Sequence, residues 1–597
     1  MKFMKKTVAM ILALSAVIPM AGCFGESGGI DPNKTQIYIA GYDGGTGNVW
    51  LDNLAAAWNA KNDKYEVIPI PERITQKDLV NAINTGVTDY DVYFTGDVGY
   101  QTNIYNGTLE DLSDVIKMEV DGEGKGTIEQ KIGYRENYYE NVWKPIASRN
   151  GEGMYMLPYC DNFGGLIFDY DTFVENNILS YASARDSATL AALDAQGVAY
   201  EVEGVRLKMK SYTGDDVLFN YEAGDYILTA GKDGKYGTYD DGQPITESEW
   251  VAMLGRITQK NMKPFLWTGM YSTYVDMITE SVFAYYSGLE EFTHYFDFDG
   301  DITIGGQKVT ITPDTGYKVY GMDGMSKALE FVNGYLNDKN YYHPKTEQSI
   351  SHTETQGNFI LGYQLEKDKP AMIVEGNWWE NEARSVFNTP SVVNAGRGYG
   401  KRDYRYMCLP KMEGAYGLDG NGNGSVFSVL NSGAVLVPKM GESAVDQAKL
   451  AQIKDFLGFM LTDENLAKFT QETGIINAYD YQLSNEQLGS LSYFSKNVYS
   501  MIHDKENVDF SRAPLLFASQ PIRFATNGGF GTQYFTFTYN KVGYESSMIA
   551  FRQGITPAQL VQGGANHYSH DDYKGTSMVK WEELIAKARE QGFYQAK

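Results

Sequence analysis

From Thr35 onward, apolar residues recur first with a period of two and then with a period near 3.6. Residues 36–40 (QIYIA) read as a buried strand, followed by a glycine-rich loop over 41–47. Residues 49–60 then place Trp50, Leu54 and Trp58 on one helical face. A second strand is expected at 65–70 (YEVIPI) and a third at 91–95 (DVYFT). Between them, 76–84 carries Leu79 and Ile83 at helical spacing. Strand alternating with helix predicts a parallel α/β sheet. Ligands of such sheets gather at the carboxyl ends of the strands. Here those ends are Tyr42-Asp43-Gly44 and Thr95-Gly96-Asp97.

The texture then changes. A hairpin-rich stretch over about 205–228 leads into a Gly/Asp-rich loop at 231–242. Amphipathic helices follow, one carrying Met325, Leu329, Val332 and Leu336. Strand patterns return at 404–410 and 433–438, and helices are expected at 445–461 and 463–470. The chain has no short-period internal repeat.

Composition narrows the class. A chain of 597 residues predicts more than one domain. With 76 acidic against 51 basic residues the net charge is −25, which argues against nucleic acid as a partner, because polyphosphate requires a basic footprint. Charged residues are only 21% against 43% hydrophobic, the balance of a folded chain. The aromatic share of 14%, led by 45 tyrosines, supplies many rings with an apolar face and a polar tip for surfaces and clefts.

The amino terminus reads as an export signal. Lys2, Lys5 and Lys6 precede an apolar or small-residue run over 7–20, too short to span a bilayer and suited to a signal-peptide core. It ends in Met20-Ala21-Gly22-Cys23, which resembles the lipobox of bacterial lipoproteins, with Met where Leu is commoner. That resemblance implies removal of 1–22, a lipid on Cys23, and a tether over 23–34. The body would then sit on the outer face of a bacterial cell membrane, held only by its lipid. Ordinary secretion with a free Cys23 is the alternative. Beyond it only Cys160 and Cys408 remain, which is no disulfide framework.

Four motifs in order carry a wider resemblance. Gly153-Met154-Tyr155-Met156-Leu157-Pro158-Tyr159, then Gly165-Leu166-Ile167-Phe168-Asp169-Tyr170, resembles the crossing segment of extracellular solute-binding proteins of carbohydrate ABC importers. Lys369-Pro370-Ala371-Met372-Ile373-Val374-Glu375-Gly376-Asn377-Trp378-Trp379 is similar to the family's A-M-x-x-x-G-x-W segment. Leu409-Pro410 and Thr473-Gly474-Ile475-Ile476 fall in the expected order. Asp169 replaces the usual Asn, and the chain is much longer than a typical member. The resemblance implies two α/β lobes of the periplasmic-binding-protein type II fold, joined by crossover strands and closing on a ligand, with an enlarged second lobe. Lobe one would be 35–158 plus 404–479, and lobe two 159–403 plus 480–597. It also implies an oligosaccharide ligand, ABC importer permease subunits as partners, a monomer, and no catalysis.

A sugar ring needs aromatic faces for its C–H bonds and planar polar side chains for its hydroxyl edge. Trp378 matches the family's post-glycine tryptophan and is the first choice of platform. Trp267 and Tyr271 follow an apolar run that should meet the cleft, with Met270 between them. Tyr42, Asp43 and Asp97 stand at strand ends, although an Asp there also caps turns. Asp161 and Asn162 follow the first crossing. Arg405 and Tyr479 complete the candidates, and each also has ordinary structural readings.

Asp233, Asp240 and Asp241 lie in the loop 231–242, which resembles D-G-x-Y-G-T-x-D-D loops that bind calcium structurally. It departs from EF-hand spacing, and an acidic turn held by Asp–backbone bonds is the alternative. No other cofactor is expected. His567-x-x-His570 fits a surface loop. Cys160 and Cys408, each beside a Leu-Pro step on an expected crossing strand, should be neighbours near the hinge, as thiols or as a disulfide. A surface glycan-binding adhesin and a glycoside hydrolase, which needs two carboxylates about 5 to 9.5 Å apart, remain alternative functions.

Overall fold

Two long strands carry the architecture, which was obtained as a computed structural model. It describes residues 30–567 apart from 42–44, 72–81, 96–99, 134–142, 150, 184–190, 193–194, 197–199, 204–205, 211–215, 221–225, 298–299, 313–314, 513–536 and 541. The elements that matter begin with β1 (Thr35–Gly41), α1 (Val49–Asn59), β2 (Tyr65–Pro71) and β3 (Val92–Thr95). Next come β4 (Leu157–Asp169), β5 (Met262–Leu266), α2 (Asp276–Ser287), α3 (His352–Ile360) and β6 (Lys369–Gly376). The chain closes with β7 (Tyr404–Met407), β8 (Ser425–Leu436), α4 (Ala444–Met460), α5 (Asp463–Thr473), β9 (Val508–Ser511) and α6 (Ser547–Arg552).

Among the described residues one nine-stranded sheet runs in the order β5-β6-β4-β8-β3-β1-β2, with β7 paired to β4 and β9 to β8. The expected α/β class is therefore present, and β1 pairs parallel to both β2 and β3. On α1, Trp50, Leu54 and Trp58 are all buried, as their spacing predicts. Burying each such side chain contributes roughly 1.5–3 kcal/mol. The helix α5 starts where the Thr462 hydroxyl accepts the Asn465 N–H and ends at Gly474, whose φ of 75° suits the left-handed cap. The expected helix bearing Met325, Leu329, Val332 and Leu336 is Asp323–Phe331 continued by a π-helical turn, Val332–Leu336, with all four side chains buried. The hairpin-rich stretch is a small antiparallel sheet of Tyr200–Glu203, Arg206–Lys210 and Asp216–Asn220.

β4 has 13 residues and β8 has 12, so each spans roughly 40 Å at about 3.3 Å per residue. One end of β8 pairs with β3, while Gly164–Phe168 of β4 pair with β6. The two long strands pair antiparallel with each other, with irregular register between Val429 and Asn431 and between Gly433 and Ala434. These irregularities lie opposite Pro158 to Phe163. Bulges there bend the ladder at the point where the sheet passes from one lobe to the other.

This pairing corrects one expectation. Tyr404–Met407 pairs with Leu166–Asp169, beside the strands of the second lobe, rather than returning the chain to the first. The return is made by β8. A four-residue strand spans only about 13 Å and is too short to cross. The same register separates the two cysteines. Met407 lies opposite Leu166, so Cys408 falls about five residues, roughly 16 Å, along β4 from Cys160. That exceeds the reach of a disulfide, about 7 Å between Cα atoms. Both cysteines are buried free thiols.

Candidate functional site at the lobe boundary

The site is built around the carboxyl end of β6. Gly376 ends that strand, and the Trp378 ring folds back over it; a side chain on Gly376 would collide with the ring. Across the boundary, Gly45 of the β1–α1 loop meets the same ring. Gly45 has φ +84°, and a Cβ there would lie 2.8 Å from Trp378 Cδ1. Asn381, one turn further on, donates its amide to the carbonyl oxygens of Gly45 at 2.6 Å and Thr46 at 3.2 Å. Trp50 Nε1 in turn donates to Gly47 O at 3.0 Å, which ties this loop to α1. Trp378 is thus held between the lobes and is 7% exposed.

Asn377 joins this turn to the crossing strand. Its N–H donates to Phe163 O at 3.0 Å and its side-chain amide to Asp161 O at 2.8 Å. Its Oδ1 has no hydrogen-bond partner among the described residues, although the residue is only 2% exposed. Asp161 and Asn162, at the centre of β4, are buried at 1% and 5% exposure. The Asp161 carboxylate lies 2.9 Å from Arg512 Nη2. Trp378, Asp161 and Asn162 are therefore brought together, with three residues that sequence reasoning missed. Asn377 stands directly before Trp378 in the recognised motif, so a signal for it existed. Arg512 follows β9, far along the chain, and no local pattern marks it. Asn381 had no signal either, because only the lobe contact gives it a partner.

Tyr271 lies on the rim of the second lobe. It is 45% exposed, and its ring stands 6.0 Å from that of His352, at the start of α3. Polar contacts lead inward from there. His352 Nε2 lies 3.4 Å from Glu382 Oε1, and Gln356 donates to Glu382 at 2.6 Å and to Glu375 at 3.1 Å. Glu375 is buried on β6, and its carboxyl is pushed well above the usual range by loss of water, with Glu382 adding repulsion.

Other candidates have structural work. Trp267 is fully buried, with its ring edge-on to Tyr342 at 5.8 Å and the Arg552 guanidinium 5.6 Å from its centroid. Both neighbours enclose it, so the expected platform is a core ring. Arg405 is 1% exposed, forks onto Asp403 at 3.0 and 2.7 Å, and lies 3.5 Å over the Tyr170 ring. Its guanidinium is a clamp inside the second lobe in place of the expected ligand contact. Tyr479 is buried in the first lobe, bridged through its backbone to Ile132 and Gly133. Tyr42, Asp43, Asp97 and Cys23 lie outside the described residues, as does His570.

The acidic loop is held as a turn. Asp240 accepts the N–H groups of Lys232 at 2.6 Å and Asp233 at 3.1 Å and the Thr238 hydroxyl at 2.9 Å. Asp233 accepts from Lys235 N, and Asp241 from Gly237 N. Burial pushes the Asp233 carboxyl up to about 7, with Asp240 adding repulsion, and raises Asp240 and Asp241 as well. Among the described residues no group of three or more His, Cys, Asp or Glu is arranged to hold a metal ion. Among the described residues, Asp233 Oδ2 and Asp241 Oδ1 have no hydrogen-bond partner.

No protein-family model matches the chain, and no curated protein matches it in sequence. Solved structures do match in fold. The apo-form of RafE from Streptococcus pneumoniae is 13% identical, with 90% of this chain and 97% of that chain covered and a TM-score of 0.51. A chitin oligosaccharide binding protein is 12% identical over 91% of this chain and 100% of its own, with a TM-score of 0.52. A probable secreted solute-binding lipoprotein from Streptomyces coelicolor is 12% identical over 90% and 99%, with a TM-score of 0.50. No helix among the described residues is long and apolar enough to cross a membrane. With its two strand groups joined by β4 and β8, the chain has the two-lobed α/β fold of the solute-binding proteins.

Proposed function

We propose that this chain is a lipid-anchored extracellular binding protein that captures an oligosaccharide between its lobes and delivers it to an ABC importer. The observation that carries this reading is Trp378, an aromatic ring held at the lobe boundary on Gly45 and beside the unpaired Asn377 amide oxygen. A ring face with planar polar groups at its edge is what a pyranose requires. The names of two neighbours in fold, a chitin oligosaccharide binding protein and a solute-binding lipoprotein, support the ligand class and the anchor. Closure follows because a ligand touching both lobes favours the closed state by its extra contacts. The role is capture without bond cleavage, and the lipid sits on Cys23.

Calorimetry and thermal shift of the exported body with chito-, xylo-, malto- and raffinose-type oligosaccharides test the proposal. One class should bind and raise the melting temperature. Failure of every class would sink the sugar reading, and release of new reducing ends during incubation would favour a glycoside hydrolase. For the loop at 231–242, Ca²⁺ should leave the melting temperature unchanged if the Asp–backbone bonds alone hold the turn, and should raise it, with chelation lowering it, if a structural Ca²⁺ sits there.

A further inference from the structure

Between α1 and α5, within the first lobe, lies a cavity of about 210 Å³. Its floor is aromatic. Trp50 stacks on Tyr159 with centroids 6.0 Å apart and planes 22° apart, and meets Phe469 edge-on at 4.9 Å. Its wall is polar, formed by Asn53 on α1, by Asn465, Lys468 and Glu472 on α5, and by Asn477 just beyond. Asn477 is 3% exposed, and its Oδ1 has no hydrogen-bond partner among the described residues. A buried amide oxygen left unpaired is costly, so this acceptor calls for a donor brought by a ligand.

The wall also limits the ligand's chemistry. Lys468 is paired with Glu464 at 2.5 Å, and the Glu472 carboxylate accepts from Asn53 and keeps its charge, which disfavours an anionic ligand. Of the three carboxamides, Asn53 donates to Glu472 and Asn465 to Phe459 O at 2.7 Å, while the Asn477 oxygen is left to accept from a hydroxyl group. The aromatic floor suits a face of C–H bonds. The volume admits several waters or one small ring. It lies below the range of about 300–1,000 Å³ that holds drug-sized molecules.

We infer that this cavity is a second binding site, for one neutral polyhydroxylated ring of monosaccharide size. Its residues other than Tyr159, which lies on the crossing strand, belong to the first lobe, so occupancy does not require closure. Tyr159 lies on β4, which places the bound ring against a crossing strand. The site goes beyond the oligosaccharide reading and does not depend on it.

Calorimetric titration of the exported chain with D-glucose, D-galactose and N-acetyl-D-glucosamine tests the inference. At least one of them should saturate a single site. Asn53→Ala, an exposed change that leaves the core intact, and Asn477→Leu should each weaken that binding by about tenfold, roughly the value of a lost hydrogen bond to a buried partner. Trp378→Ala should leave it unchanged. If none of the three sugars binds, or if Asn53→Ala and Asn477→Leu both bind as the parent does, the inference is wrong. Loss in Trp378→Ala with retention in Asn53→Ala would place the monosaccharide at the lobe boundary and overturn it too. Oligosaccharide affinity measured on Asn53→Ala separates the two sites, because it should stay at the parent value even if the monosaccharide site fails.

Discussion

Asn381 of the second lobe donates its side-chain amide to the carbonyl oxygen of Gly45 in the first, at 2.6 Å. Closure thus has a direct protein–protein bond in addition to whatever a ligand supplies. A hydrogen bond of this kind contributes about 1 kcal/mol net, or roughly a fivefold bias between closed and open forms. Asn381→Ala should therefore expand the ligand-free protein in small-angle scattering, with no loss of melting temperature beyond a degree or so. An unchanged radius of gyration would show that the bond does not bias closure.

Trp378→Ala tests the platform. The variant should fold, since the ring lies between lobes rather than inside either one, and should lose about tenfold to a hundredfold in oligosaccharide affinity. Calorimetry with the best oligosaccharide reads this directly. Parent-like affinity would remove Trp378 from the site.

Arg405→Ala should act on stability alone. Removing the guanidinium leaves Asp403 without its forked partner and strips the Tyr170 face, at a cost of roughly 3–5 kcal/mol. Denaturant melts should show that loss, while the affinity of the remaining folded protein stays at the parent value. A selective fall in affinity would return Arg405 to the ligand site.

Stability should fall as pH rises from about 4 to 7. Asp276 is buried at the start of α2, and loss of water pushes its carboxyl up to about 7, despite bonds from Ser547 and Thr279. The native state keeps this proton between pH 4 and 7, whereas the unfolded chain has lost it. The extra proton on the native side makes stability decrease over that window and level off above it. Asp233 adds in the same direction. Asp276→Asn should flatten the slope by up to one proton in melts taken across that range; an unchanged slope would rule out Asp276 as a source.

Both cysteines should be invisible to thiol reagents in the native protein. Burial pushes the Cys160 and Cys408 thiols up to about 12, which removes the reactive thiolate. Two thiols should appear only on denaturation, whether or not reductant was present. Reductant-dependent appearance would mean a disulfide and a wrong strand register.

Local pattern was enough for much of this molecule. The period of two in QIYIA and the i, i+4 spacing of Trp50, Leu54 and Trp58 specify β1 and α1, because burial of one face is a local demand. The A-M-x-x-x-G-N-W segment likewise marked Trp378 before any contact was known. The apolar run before Trp267 was equally legible as a strand, yet its end could not be read as cleft or core. That depends on Tyr342 and Arg552, which arrive from elsewhere in the chain.

What the sequence determined by itself is the α/β class, the main helices and strands, the first crossing and the tryptophan at the end of β6. Tertiary structure decided which strand returns to the first lobe, because register and length, rather than composition, make β8 and not β7 the second crossing. It also decided which polar residues serve the boundary. Asn381 and Arg512 gain their roles only from partners hundreds of residues away. Such long-range pairings leave no periodic trace along the chain.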